Sequence, residues 1–282
     1  MVRGPQSKIE GPVGRENMSE TQVVEKPVPE EEKKVVPQAL VGLDAKLIKS
    51  IVSAVSTMID EATVKLSPKD GFVLSAFDPS KIAMVQVMLP KDMFSKFDAE
   101  SDGFYNINFK ELKDVLRRIR GESDVDLKFD SNSMEVRSTA DYKKTFKLPL
   151  LAGEPFEVKT PRVKFIAGVR MKSRVLAEIV SDLRPMADFN VDIVIDSKAV
   201  FKVKSEKGEA EAILSRDDPE VIDIWNSAES SYSIDYLEKI SKPGRLTEEV
   251  KLEIATKKPM KVTYILGPEA EIVYYLAPVN VE

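Results

Sequence analysis

Read at helical period, Asn108 to Arg120 has two faces. Leu112, Val115, Leu116 and Ile119 follow the i, i+3, i+4, i+7 spacing of a buried stripe, and Lys110, Lys113, Arg117 and Arg120 form a second, basic stripe. Asn108 is a capping residue with Glu111 three positions on, and Gly121 supplies a stop. The spacing predicts an amphipathic helix over Asn108–Arg120. Three more stretches read the same way. Asp44–Glu61 sets Leu47, Ile51, Val55 and Ile59 against Lys46 and Lys49. Lys172–Met186 sets Leu176, Ile179, Val180 and Leu183 against Lys172, Arg174 and Arg184. Asp235–Lys242 sets Leu237 and Ile240 against Lys239 and Lys242, with Arg245 just beyond.

The intervening text alternates at period two between turn signals, which predicts strands. In the first half these are Ala39–Leu43, Thr63–Ser67, Phe72–Phe77, Ile82–Leu89, Tyr105–Phe109, Val125–Asp130, Met134–Ser138 and Tyr142–Leu148. In the second they are Val163–Met171, Asn190–Ile195, Ala199–Ser205, Glu209–Leu214, Tyr232–Tyr236, Val250–Ala255, Met260–Leu266 and Glu271–Leu276. Many short strands with two helices per half predict an α+β fold of antiparallel sheets with helices on one face.

The halves repeat each other. Tyr105–Phe109 matches Tyr232–Tyr236 at an offset of 127, Ile51-Val52-Ser53 matches Ile179-Val180-Ser181 at 128, and Leu127-Lys128-Phe129 matches Leu252-Glu253-Ile254 at 125. Three matches in order argue for a duplicated domain. The boundaries expected are a tail over 1–38, a domain over 39–148, a linker over 149–162 and a domain over 163–282. The tail is rich in Pro, Glu and Lys and sustains no apolar period, so it is expected to be disordered. Met18 offers a second start, in which case residues 1–17 are absent from the native protein.

Composition narrows the function. The chain has no Cys and no His, which removes disulfides, thiolate and imidazole metal sites, and Ser-His-Asp or Cys-His catalysis. It has neither a phosphate-binding Gly-rich loop nor a dinucleotide fingerprint. No run approaches the ~18 apolar residues of a membrane span. No metal or cofactor is expected, and the balance leans against an enzyme. The net charge is -5, yet every predicted helix carries a basic face, diluted by Glu178, Asp182 and Glu238. The acid falls elsewhere, at Glu100, Asp102, Asp217, Asp218, Glu220, Glu248, Glu249, Glu269 and Glu271. That is the distribution of a surface that meets phosphate on one side only.

Four stretches carry a family resemblance: Ile59-Asp60-Glu61-Ala62; Gly71–Leu89 with Ser75-Ala76-Phe77-Asp78 and Val85-Gln86-Val87; Lys258–Tyr264; and the ending Val273-Tyr274-Tyr275-Leu276-Ala277-Pro278. Through them Leu40 to Glu282 resembles the sliding clamps of eukaryotes and archaea, the proliferating cell nuclear antigen family. The resemblance implies two clamp domains per chain, three chains closing a ring, helices lining a central channel and sheets outside. Duplex DNA then threads the channel without sequence preference, contacted by Lys46, Lys49, Lys110, Lys113, Arg117, Arg118, Arg120, Lys172, Arg174, Lys239 and Lys242. DNA polymerase, clamp loader, flap endonuclease and DNA ligase are the implied partners. They dock by a short aromatic-anchored peptide at Phe77, Phe156, Val158, Pro259, Tyr275, Ala277 and Pro278. Lys81, where many relatives carry a His, and Val279, which replaces a basic residue, are departures that bear on partner choice. The implied subunit contact pairs Tyr142–Lys147 with Glu209–Leu214 of the next chain, through Tyr142, Lys144, Phe146, Glu209, Glu211 and Ile213. The location implied is cytoplasmic and nucleoid-associated in an archaeon, or nuclear in a eukaryote.

Two alternatives stay open. One is a checkpoint-type clamp, or one paralogue of a heterotrimeric ring. The other is a metal-dependent nuclease using Asp124, Asp126 and Asp130.

Overall fold

The computed structural model describes Met1 and residues 37–120, 123–139, 142–156 and 158–279; residues 2–36 with Met18, and Gly121, lie outside them. In the first half β1 (Ala39–Asp44) leads into α1 (Ala45–Val55), followed by β2 (Glu61–Ser67), β3 (Gly71–Phe77), β4 (Ala83–Leu89), β5 (Lys96–Ala99) and β6 (Gly103–Asn108). Then come α2 (Phe109–Leu116), β7 (Asp124–Phe129), β8 (Ser133–Ser138) and β9 (Lys144–Pro149). The second half runs β10 (Ala167–Lys172), α3 (Ser173–Leu183), β11 (Asn190–Ile195), β12 (Lys198–Ser205), β13 (Gly208–Ser215), β14 (Val221–Trp225) and β15 (Ala228–Ser233). It ends with α4 (Ile234–Ser241), β16 (Glu249–Ile254), β17 (Met260–Gly267) and β18 (Ala270–Leu276).

Strand order makes the duplication explicit. The first half holds β5-β1-β7-β8-β9 and β6-β2-β3-β4; the second holds β14-β10-β16-β17-β18 and β15-β11-β12-β13. All the pairings are antiparallel. The halves are fused through β18 and β4, which pair from Glu271↔Met88 to Leu276↔Ala83, so two of the sheets merge into one of nine strands. Met84, Val85, Val87 and Ile272 to Leu276 are all buried there. This seam is held by apolar burial as well as backbone bonds, at roughly 1.5–3 kcal/mol per large side chain.

The helices lie in pairs, α1 against α2 and α3 against α4, and α1 also touches the turn over Lys242–Arg245 of the second half. Asp44 and Asn108 cap α1 and α2 by accepting from the backbone N–H groups of Leu47 (2.8 Å) and Glu111 (3.1 Å).

Several expected boundaries are corrected. α1 ends at Val55 and not Glu61, because Thr57 Oγ1 and Ser56 Oγ donate to the carbonyls of Ala54 (2.7 Å) and Ser53 (3.2 Å). Ile59 stays buried, but in the turn entering β2. α2 ends at Leu116 and not Arg120, tightening through three-residue bonds from Arg118 to Val115 and Ile119 to Leu116. α3 gives way to a 3-10 turn at Arg184–Met186, and α4 starts at Ile234 after Ser233, not after Asp235. β9 begins at Lys144 and β10 at Ala167. Two edge strands, β5 and β14, lie outside the expected strands. Gly71, the first residue of β3, has φ +76°, and a Cβ there would meet the Leu89 carbonyl at 2.2 Å.

Candidate functional site

The basic residues sort by what they touch. Lys49, Lys113 and Arg117 line a crevice of about 240 Å³ with Ser50, Ser53 and Leu116. Lys242 enters from the second half beside the same two serines, at a crevice of about 150 Å³. The four cations are thus gathered on α1, α2 and the turn after α4. Lys113 feels the crowding: partial burial, then the charges of Arg117 and Lys242, lower its pKa from the ordinary lysine value against the opposing pull of Asp114. Such a field favours an anion.

Lys46, Arg120 and Lys242 are exposed, Lys172 is half-buried, and Lys239 lies 5.1 Å from the Tyr236 ring centroid. Arg117 keeps a looser contact with Asp114 (3.5 Å), and three predicted cations are engaged more closely. Lys49 Nζ donates to the Ile119 carbonyl (2.6 Å), closing the end of α2. Lys110 pairs with Asp60 at 2.6 Å, and Arg174 pairs with Glu220 at 2.6 Å and Glu178 at 3.6 Å. Arg118 stands apart, beside Tyr142 to Phe146 on the β9 edge. Arg184 belongs to no face; it ties α3 to α4 through Asp235 (2.6 Å) and Glu238 (3.5 Å).

The predicted pocket residues divide as well. Phe77, Phe156 and Val158 converge in a cleft of about 490 Å³ with Ile59 to Ala62, Ala76 and Pro79. Tyr275 lies behind it, buried with Met84 and Val273 and packed by Val158 and Phe165. Pro278 lines a different groove, of about 570 Å³, along β11, β12 and β15. Pro259 is half-buried, and Ala277 extends the β18–β4 seam by donating to the Ile82 carbonyl (2.9 Å).

The predicted contact strands, β9 and β13, each pair on one side only among the described residues. On β9, Lys144, Phe146 and Leu148 are half-buried while Thr145 and Lys147 are exposed; on β13, Ala210 and Ala212 are half-buried while Glu209, Glu211 and Ile213 are exposed. Lys144 lies over the Tyr142 ring at 4.5 Å, and strand alternation puts it on the face opposite Lys147. Glu209 already pairs with Lys204 (2.6 Å) and Lys202 (3.4 Å) of β12. The suspected carboxylate centre does not form: Asp126 bonds Lys96 (2.9 Å) and Asp130 lies near Lys128 (3.8 Å). No cluster of three carboxylates poised for a metal occurs among the described residues.

The family model described as "Proliferating cell nuclear antigen, N-terminal domain" matches residues 42–148, and its C-terminal counterpart matches 159–279. The chain belongs to the proliferating cell nuclear antigen family. It is 30% identical to the DNA polymerase sliding clamp of Thermococcus gammatolerans over 246 residues, covering 86% of this chain and 98% of the relative. It is also 30% identical to DNA polymerase sliding clamp 1 of Pyrobaculum aerophilum over 244 residues, with the same coverage. The PCNA crystal structure from Thermococcus kodakaraensis superposes with a TM-score of 0.79 at 24% identity, covering 86% of this chain and 100% of that one. The PCNA2–PCNA3 complex from Sulfolobus tokodaii gives the same score at 20% identity, covering 85% and 98%.

In this PCNA-family chain two groups absent from the sequence reading position the cleft. Buried Asp78 accepts from the backbone N–H groups of Ala83 (2.6 Å) and Ser80 (3.1 Å), and from the Tyr236 hydroxyl (2.7 Å) of α4 in the other half. Partial burial, then this contact with Asp78, raises the Tyr236 pKa. Tyr236→Phe is expected to cost about 1–2 kcal/mol, because a buried carboxylate loses a donor; urea denaturation checks this. The second group is Thr63 with Asn106, both buried. The available signal was the same in each case: a polar residue at an inward position of a predicted strand, or just past its end.

Proposed function

We propose that this clamp works as a closed ring around duplex DNA and raises the processivity of a DNA polymerase, with no catalysis of its own. The observation that carries the reading is the seam between halves. β18 ends one five-stranded unit and β4 ends one four-stranded unit, and they pair inside the chain. Their counterparts by the duplication, β9 and β13, are open edges. The same head-to-tail pairing between chains repeats the internal junction and closes a ring, of three chains as the family resemblance implies. Sheet alternation then puts Lys147 of one chain on the face of Glu209 and Glu211 of the next, with Lys143 just before β9 at the same edge. One chain carries both edges, so identical copies can close the ring.

The crevice cations Lys113, Arg117 and Lys242, with Lys46, Arg120 and Lys239, supply the DNA contacts. Lys49, Lys110 and Arg174, held at 2.6 Å by their partners where Arg117 is held only at 3.5 Å by Asp114, contribute less. The cleft of Phe77, Phe156 and Val158 takes the anchoring peptides of polymerase, clamp loader, flap endonuclease and DNA ligase. The site of action is the nucleoid. Primer extension on a primed single-stranded circle tests the function: loaded clamp is expected to lengthen the products of one binding event. Unchanged product length contradicts it.

A further inference from the structure

We propose that Thr63 and Asn106 are positioning residues for partner docking, a buried polar clasp that holds the linker as one wall of the cleft. The proposal rests on the cleft being a peptide site. Thr63 and Asn106 face each other across the β2–β6 pairing, and 7% and 6% of their surfaces remain exposed. The Thr63 hydroxyl donates to Asn106 Oδ1 (2.6 Å) and accepts from the Phe156 N–H (2.7 Å). With its oxygen so engaged, the Asn106 amide nitrogen is left to donate to the carbonyls of Gly153 (3.2 Å) and Glu154 (3.4 Å). The Asn106 backbone carbonyl also accepts from Leu151 (2.9 Å), on the open edge of β6. Between Leu151 and Phe156 this residue pair therefore ties the linker through four hydrogen bonds.

Phe156 needs that tie. Its side chain is 51% exposed, so apolar burial does not place it, yet it forms part of the cleft. Val158 is different: it packs against the cluster of Met84, Val273 and Tyr275. The wall thus has an apolar anchor downstream and a polar anchor upstream, and the aromatic face between them depends on the polar one. At the same register in the second half the pair is Asn190 and Ser233, and the segment after β18 bonds Ser231 instead, through Val279 N–H (2.8 Å). The duplicated framework therefore does not itself require a Thr–Asn pair at this register. A linker released from the clasp samples many conformations, and apparent affinity falls with the fraction still docked.

The test uses Thr63→Val, which keeps shape and removes both bonds, with Thr63→Ser as the conservative control. A fluorescein-labelled synthetic peptide with an aromatic anchor in one helical turn reports binding by anisotropy. Hydrogen exchange reports the Phe156 amide. Thr63→Val is expected to raise the peptide Kd about tenfold and to abolish protection of that amide, with oligomer mass unchanged, whereas Thr63→Ser stays near the parent. Parent-like peptide affinity in Thr63→Val overturns the proposal, whether or not the amide stays protected. Should Thr63→Val fail to fold, Thr63→Cys, similar in size and a weak donor, is read by the same criteria. A parent that ignores the peptide refutes the peptide site itself, and amide exchange then reports on the clasp alone.

Discussion

Glu209→Lys combined with Glu211→Lys is expected to leave the chain a 31.5 kDa monomer at concentrations where the parent assembles. Both glutamates are on the exposed face of β13, and the proposed neighbour edge presents Lys143 and Lys147. Reversal replaces attraction with like-charge contact along a β edge, which costs several kcal/mol per interface. An interface whose apparent Kd rises by roughly 100-fold or more no longer closes a ring. The β18–β4 seam, built from buried apolar residues, is untouched, so the monomer still unfolds cooperatively, at a lower temperature than the assembled parent because it has lost its neighbours and the Lys202 and Lys204 pairs of Glu209. Adding Lys143→Glu and Lys147→Glu to the same chain swaps the polarity of both edges and is expected to restore assembly. Light scattering distinguishes these cases. A double mutant that still assembles, or a four-fold swap that stays monomeric, contradicts the proposed pairing.

Lys113→Glu with Arg117→Glu is the second large effect. These residues share one crevice, and Lys113 already bears the repulsion of Arg117 and Lys242. An inserted pair of carboxylates turns a site that favours phosphate into one that repels it. Clamp retained on circular DNA is expected to fall at least tenfold at moderate salt, with oligomer mass unchanged. The milder pair Lys113→Gln and Arg117→Gln isolates the contact count. Each lost phosphate contact flattens the plot of log affinity against log salt by about 0.9, so the slope falls by about 2. Failure of assembly in either pair places this face at the subunit contact and not at DNA.

Much of this was legible because it is local. The apolar stripes of α1 and α2 were read from spacing, and Asn108 was read as a cap, because helical period and capping are short-range. The duplication was legible because the two halves repeat Tyr105 as Tyr232 and Leu127 as Leu252. Ile59 and Ile119 misled the helix ends: both are buried, but in turns that follow the helix, where back-bonding serines and threonines or three-residue bonds have taken over. β5 reads Lys-Phe-Asp-Ala and has no fully buried residue, so its pattern carries almost no signal. β14, Val-Ile-Asp-Ile-Trp, is apolar enough to read as a strand yet falls outside those expected.

The site was legible as a set of charges and not as a set of contacts. Spacing put Lys49, Lys110 and Arg174 on wet faces, but their partners, Ile119, Asp60 and Glu220, come from distant parts of the chain. The Thr63–Asn106 clasp and the Tyr236–Asp78 bond join residues 43 and 158 positions apart. No period or motif encodes such pairs; strand register brings the first together, and the fusion of halves brings the second.

The central claim is topological: the clamp stays on DNA because it surrounds it. Clamp loaded by its loader and ATP onto nicked circular duplex, and separated from free protein by gel filtration, is expected to remain with the circle. A single restriction cut is expected to release it within minutes, while a mock digest leaves it bound. Equal retention on cut and uncut DNA contradicts a closed ring and leaves only surface affinity.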